Sequence, residues 1–182
     1  LVIAGIVSAV IFGGIHWISK VSEKVVPFMA AAYIFATVYI IVLNMDQVPT
    51  VLSQVFQGAF TGTAAIGGFS GALVKEAIQK GVARGVFSNE SGLGSAPIAA
   101  AAAKTEEPVE QGLISMTGPF IDTIIICSLT GLAILVSGQW TTVGQVGSDL
   151  TQQVFISTFG HIGGIILTLC LVLFATTTIL GW

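Results

Sequence analysis

The sequence predicts an all-α integral membrane protein of about five transmembrane helices, on three observations. Only 8% of the 182 residues are charged and 54% are hydrophobic, whereas soluble domains carry about 25% charged residues. The charges fall so that uncharged stretches run 1–19, 25–45, 47–74, 123–148 and 150–182, and a spanning helix needs about 20 mostly apolar residues. All six basic residues lie at or in alternate connections between those stretches.

The same numbers exclude other classes. Six basic and nine acidic side chains cannot coat a globular surface, which argues against a water-soluble enzyme. A net charge of −3 offers no basic patch for a nucleic-acid backbone. Cys127 and Cys170 lie far apart in apolar runs without CxxC or Cys/His spacing, against a disulfide scaffold or a zinc site. The first stretch lacks a basic leader and a small-residue cleavage site, so it does not read as a signal peptide. A chain that begins on Leu1 and ends on Trp182 inside an apolar run reads as an internal piece of a longer protein, with no domain boundary within it.

In order, the expected spans are 1–19, 26–45, 52–77, 112–137 and 155–182. The connection from Lys20 to Lys24 is short and charged, and the second, Asn44 to Thr50, holds Asp46 and Pro49. A long third connection, 79–110, holds Lys80, Arg84, Glu90 and Lys104 and then Glu106, Glu107 and Glu110, while the fourth, 138–153, holds only Asp149. Basic residues mark cytoplasmic loops. The first and third connections are therefore expected inside, and the chain starts outside. The third span carries five glycines between Gln57 and Ala72, each costing about 1 kcal/mol against alanine in a helix interior. Two readings stand. Small residues let helices approach closely, or the helix breaks at Ile66-Gly67-Gly68-Phe69 and lines a cavity with free backbone groups. The segment from Ser91 to Ala103 is uncharged but too short to cross. It reads as a short helix at the cytoplasmic face or a re-entrant piece, with Ser95 as cap and Pro97 near the start. Gly92-Leu93-Gly94 lacks the Lys-Ser/Thr of a phosphate-binding loop and a preceding strand.

The run Gly81-Val82-Ala83-Arg84-Gly85-Val86-Phe87-Ser88-Asn89-Glu90-Ser91-Gly92-Leu93-Gly94-Ser95-Ala96-Pro97-Ile98 resembles the signature of the alanine/glycine:cation symporters. Gly67-Gly68-Phe69, Gln111-Gly112-Leu113, Asp122-Thr123 and the closing 174–182 segment match in the same order. The resemblance implies a sodium-coupled symporter of small neutral amino acids with a LeuT-type fold of two inverted five-helix repeats. The first helix of each repeat in that fold is discontinuous, and substrate binds near the membrane midplane between the broken helices. On that pattern the chain starts at the fourth helix and ends within the eighth, and the third span here is the broken sixth. The resemblance also implies a multi-pass protein of the cell membrane, with sodium as the co-transported ion, no organic cofactor, and no enzymatic activity or catalytic residue. Its partners would be a small neutral amino acid and the bilayer, with no nucleic acid. The alternatives are a passive channel or a non-catalytic membrane subunit. A channel would want filter rings in a symmetric oligomer, and nothing in the sequence suggests one.

Around the expected break, Gly62, Ala65, Ile66, Gly67, Gly68 and Phe69 are candidates for the substrate pocket, with glycines freeing backbone and Ile66 and Phe69 as walls or as ordinary packing residues. Trp182 would close the site, as the resemblance implies, or anchor at the interface. Thr177 and Thr178 are the sodium candidates, since a hard cation takes several oxygens. Against this stands the habit of mid-helix threonines of bonding to their own i−4 carbonyl. Asp122 is the one acidic residue deep in a span, roughly 15 Å from its cytoplasmic end, and a carboxylate there is functional by default. A structural role is the expectation, ahead of ion ligation. Arg84, Asn89 and Glu90 form a candidate inner gate, or a solvated loop.

Overall fold

The computed structural model describes residues 2–60, 70–94, 96–101, 103–141 and 147–181. Among them every regular element is helical: α1 (Val2–Phe12), α2 (Ile15–Leu43), α3 (Val48–Phe60), α4 (Ser70–Val86), α5 (Glu90–Leu93), α6 (Ala96–Ala100), α7 (Pro108–Pro119), α8 (Ser128–Ser137), α9 (Ser148–Phe159) and α10 (His161–Gly181). A π-helical stretch, Phe120–Cys127, joins α7 to α8, and short 3₁₀ turns lie at Met45–Gln47 and Gln139–Thr141.

Among the described residues three helical runs are long and apolar enough to cross a membrane: Lys20–Leu43, Pro108–Ser137 and His161–Ile179. They overlap the apolar stretches at 26–45, 112–137 and 155–182. The start of the chain differs from expectation. The break falls at Gly13–Gly14, where Gly14 has φ of 70°, and α2 then runs unbroken through Lys20, Glu23 and Lys24. Those charged residues are exposed and are compatible with helix, so charge alone does not end one. A left-handed glycine does. With 11 residues, α1 reaches only about 16 Å. The last stretch also divides. Gly160, at φ 64° and ψ −151°, separates α9 from α10. The expected break of the third span, at Ile66 to Phe69, lies outside the described residues.

The chain forms two compact units. The first combines the segments up to Leu43 and from Leu129 onward. Its core is one stripe of α2, Met29, Tyr33, Thr37 and Ile40, all buried and spaced to share a helix face. Tyr33 stacks on Phe155 of α9, with ring centroids 5.9 Å apart and planes at 21°. It meets Phe174 of α10 edge-on at 5.8 Å. Its hydroxyl lies 2.7 Å from Thr130 Oγ1 of α8. Tyr39 stacks on Phe159 at 5.4 Å. Leu167 and Cys170 carry the buried face of α10. The Thr37 hydroxyl donates to the Tyr33 and Ile34 carbonyls, so this buried polar group stays satisfied inside its own helix. At the α9–α10 corner the helices approach at Gly163, where a Cβ would collide with the Phe155 carbonyl.

The second unit spans Asn44–Ser128. Pro49 sits in the first turn of α3 and Pro108 opens α7, positions where the missing N–H has no intrahelical partner to lose. Pro119 sits inside the α7–α8 run, where it removes one i→i−4 bond. The π-helical stretch begins at the next residue.

Large apolar side chains cover the outside of both units. Phe12, Phe28, Phe35, Ile162 and Leu169 are exposed, Phe12 at 91%. In water such a surface would aggregate. In hydrocarbon it is the ordinary exterior of a spanning helix.

Candidate functional site

The signature segment of the third connection folds into a turn tied to the helix after it. Asn89 precedes α5, and its Oδ1 accepts the Gly92 N–H at 3.1 Å. This is an N-cap on the third residue of the helix. Gly92 is required here, because a Cβ would collide with the Val86 carbonyl. Gly94, at φ 81°, ends the short helix. The Asn89 amide donates through Nδ2 to Thr123 Oγ1 at 2.8 Å and to Ser88 Oγ at 3.1 Å. Ser88 Oγ also lies 3.2 Å from Thr123 Oγ1 and hydrogen-bonds the Gly85 carbonyl at 3.1 Å. Ser88, Asn89 and Thr123 are all half-buried. Thr123 and the half-buried Asp122 lie side by side in the π-helical stretch. Such stretches interrupt the regular i→i−4 ladder and often mark functional positions.

Asn89 thus meets the helix that carries Asp122. Arg84, expected as its gate partner, is exposed on the last turn of α4, where its charge complements the helix dipole. Glu90 is the first residue of α5, and its side chain lies outside the described set. Nothing in the spacing of residues marked Ser88 or Thr123 as partners of Asn89. The signal available was Pro119, a helix-interior proline four residues before Thr123.

The sodium candidates lie on α10, in the first unit. The hydroxyl of Thr177 donates to the carbonyls of Leu173 and Phe174, at 3.0 Å each. That of Thr178 donates to the Phe174 carbonyl at 2.8 Å, and buried Thr176 to Val172 at 2.7 Å. Each hydroxyl hydrogen is therefore spent within the helix, in the mid-helix habit, and α10 runs without interruption here. The oxygen lone pairs remain available as ligands. Thr177 is half-buried, with the sulfur of Met29 of α2 4.0 Å from its Oγ1, while Thr178 is exposed. The two neighbours thus face different surroundings. Gly62, Ala65, Ile66, Gly67, Gly68, Phe69 and Trp182 lie outside the described residues. Among the described residues no group of three or more His, Cys, Asp or Glu gathers to hold a metal.

Apolar helices of spanning length, an apolar exterior and a polar turn fastened to an irregular helix define a polytopic membrane protein. The chain belongs to the sodium:alanine symporter family, which it matches over residues 1–182. It is 49% identical over its whole length to an uncharacterized transporter of Haemophilus influenzae, covering 40% of that protein. It is 47% identical, again over all of its length and 40% of the relative, to the sodium/alanine symporter AgcS of Methanococcus maripaludis. A probable sodium/glutamine symporter, GlnT of Bacillus subtilis, is 39% identical over all of this chain and 37% of its own. The chain thus spans about two-fifths of the length of the curated relatives it matches.

Proposed function

We propose that the protein to which this chain belongs carries alanine and glycine into the cell across the plasma membrane, by sodium-coupled symport with alternating access. The observation that carries the proposal is membership of the sodium:alanine symporter family along the entire chain. The names of two relatives, which specify sodium with alanine and with glutamine, support sodium coupling and an amino-acid substrate, the first of them alanine itself. A LeuT-type arrangement with five spans in this part of the chain goes with the proposal.

In this reading the glycine-rich segment from Gly62 to Phe69 offers backbone dipoles to the carboxylate and amine of the substrate. Ile66, Phe69 and Trp182 bound a pocket small enough to exclude larger side chains. Steric exclusion is needed, because an apolar pocket gains only about 1–3 kcal/mol per methylene. Thr177 and Thr178 lend oxygens to sodium. Bound sodium favours the substrate-competent state, and linkage makes the effect reciprocal. Asp122, Asn89, Glu90 and Arg84 serve the inner, cytoplasmic side. The deciding experiment is uptake of labelled alanine by the full-length protein in proteoliposomes. Saturable uptake driven by an inward sodium gradient is expected, with glycine competing. Uptake that neither saturates nor responds to sodium would assign a passive pore instead. Competition by glutamine as strong as by glycine would enlarge the substrate class.

A further inference from the structure

Ser88, Asn89 and Thr123 are not among the residues proposed for substrate or sodium, and their hydrogen bonds meet on a helix irregularity. Thr123 receives the Asn89 amide at 2.8 Å and lies 3.2 Å from Ser88 Oγ. Both partners belong to the turn between α4 and α5, capped by Asn89 itself. We propose that Thr123 is a positioning residue of the transport cycle: its hydroxyl latches the α4–α5 turn to the π-helical stretch, and this latch opens when access changes. The proposal rests on the symport reading and deepens it by giving Asn89 a partner.

Three observations support it. First, the π-helical stretch interrupts the regular i→i−4 ladder and begins one residue after Pro119, where the ring and the missing N–H already disturb a regular helix. Second, the π and α registers place Thr123 differently. Each residue of an α-helix turns about 100° about the axis. Relaxing the stretch by one residue would therefore carry the Thr123 hydroxyl round the helix and break both bonds. Third, the bonds have the right strength. A hydrogen bond between membrane helices shifts an equilibrium by roughly threefold on average, so the two at Thr123 bias the registers by about tenfold. That is enough to favour one state and little enough to be undone in every cycle.

The test uses the full-length protein in proteoliposomes, with an inward sodium gradient and labelled alanine. The pair Asn89→Cys and Thr123→Cys is introduced in a background with Cys127 and other reactive cysteines replaced. It is oxidised with copper phenanthroline and reduced with dithiothreitol. Cross-linking is followed by mass spectrometry. The cross-link is expected to form, to lower uptake at least tenfold, and to release it on reduction, with neither single variant responding to oxidant. Full uptake in the cross-linked protein would overturn the latch and leave a static clamp, and so would failure of the pair to cross-link. If the reduced pair is inactive, Thr123→Val and Thr123→Ser decide. Valine should change the alanine KM or the maximal rate by about tenfold and serine should restore it, whereas wild-type values in Thr123→Val would overturn the proposal. Wild-type uptake that ignores sodium would refute the symport reading while leaving redox control of uptake as the measure of the latch.

Discussion

Gly163→Ala should destabilise the full-length protein, while Gly164→Ala should not. Both glycines are buried in the first turn of α10. In a helix, replacing glycine with alanine contributes about 1 kcal/mol of stability, so the environment decides the sign. At Gly163 the added Cβ would collide with the carbonyl oxygen of Phe155, lie 2.7 Å from its carbon and 2.9 Å from the Cβ of Phe159. Phe155 O and C are backbone of α9 and cannot turn aside, so the corner must open. Phe155 is 1% exposed and stacked on Tyr33, so opening the corner disturbs the core of the unit. Overpacking of this kind costs about 1–3 kcal/mol, and set against the helix gain the net effect is a loss of up to about 2 kcal/mol. At Gly164 the nearest atoms are Cγ1 and Cδ1 of the Ile156 side chain, at 3.3 and 3.4 Å. A shift of a few tenths of an ångström accommodates the methyl there, and the helix gain survives. Thermal unfolding of the two variants in detergent, followed by fluorescence-detected size exclusion, should put Gly163→Ala below wild type and below Gly164→Ala, by roughly 1 °C per kcal/mol in a protein of this length. Gly164→Ala should lie at or above wild type. A Gly163→Ala variant as stable as Gly164→Ala would refute the close approach of α9 to α10.

Gly67→Leu and Gly68→Leu in the full-length protein should abolish saturable alanine uptake without reducing membrane insertion, measured by surface labelling, because a side chain would fill the proposed pocket and favour regular helix. Near-normal uptake in both would assign the glycines to helix packing. Thr177→Val and Thr178→Val keep the side-chain shape, and should raise the sodium concentration for half-maximal uptake more than they weaken alanine binding at saturating sodium. Trp182→Ala should do the reverse. An unchanged sodium curve in both threonine variants would remove the cation assignment. Tyr33→Phe deletes the hydroxyl bonded to Thr130 and keeps the aromatic stacking, so it should cost about 0.6–1.7 kcal/mol, whereas Tyr33→Ala should cost about 3–5 kcal/mol. Equal losses in a denaturation series would mean that the rings contribute nothing beyond the hydrogen bond.

The solvent of this protein and its kind of secondary structure are legible in the residues alone. Charges spaced as Lys24, Asp46, Lys75, Asp122 and Asp149 leave apolar stretches that water would not tolerate, and in hydrocarbon a chain must satisfy its own backbone. Helix follows from that without knowledge of any neighbour. The motif around Ser88-Asn89-Glu90 likewise identified the family, since a long specific string needs no geometry. Where helices end and what touches what became visible in three dimensions alone. The first break falls at Gly13–Gly14 and not at Lys20 to Lys24, because a left-handed glycine ends a helix and exposed charge does not. The last stretch divides at Gly160 for the same reason. Asn89 meets Thr123 of the π-helical stretch, and Tyr33 gathers Phe155, Phe174 and Thr130. In a membrane apolar faces are nearly equivalent, since lipid tails are as apolar as leucine, so the hydrophobic pattern that orients a soluble helix carries no such instruction here. Partners are chosen by close approach and a few polar contacts, and these depend on the placement of backbone atoms, which residue spacing does not encode.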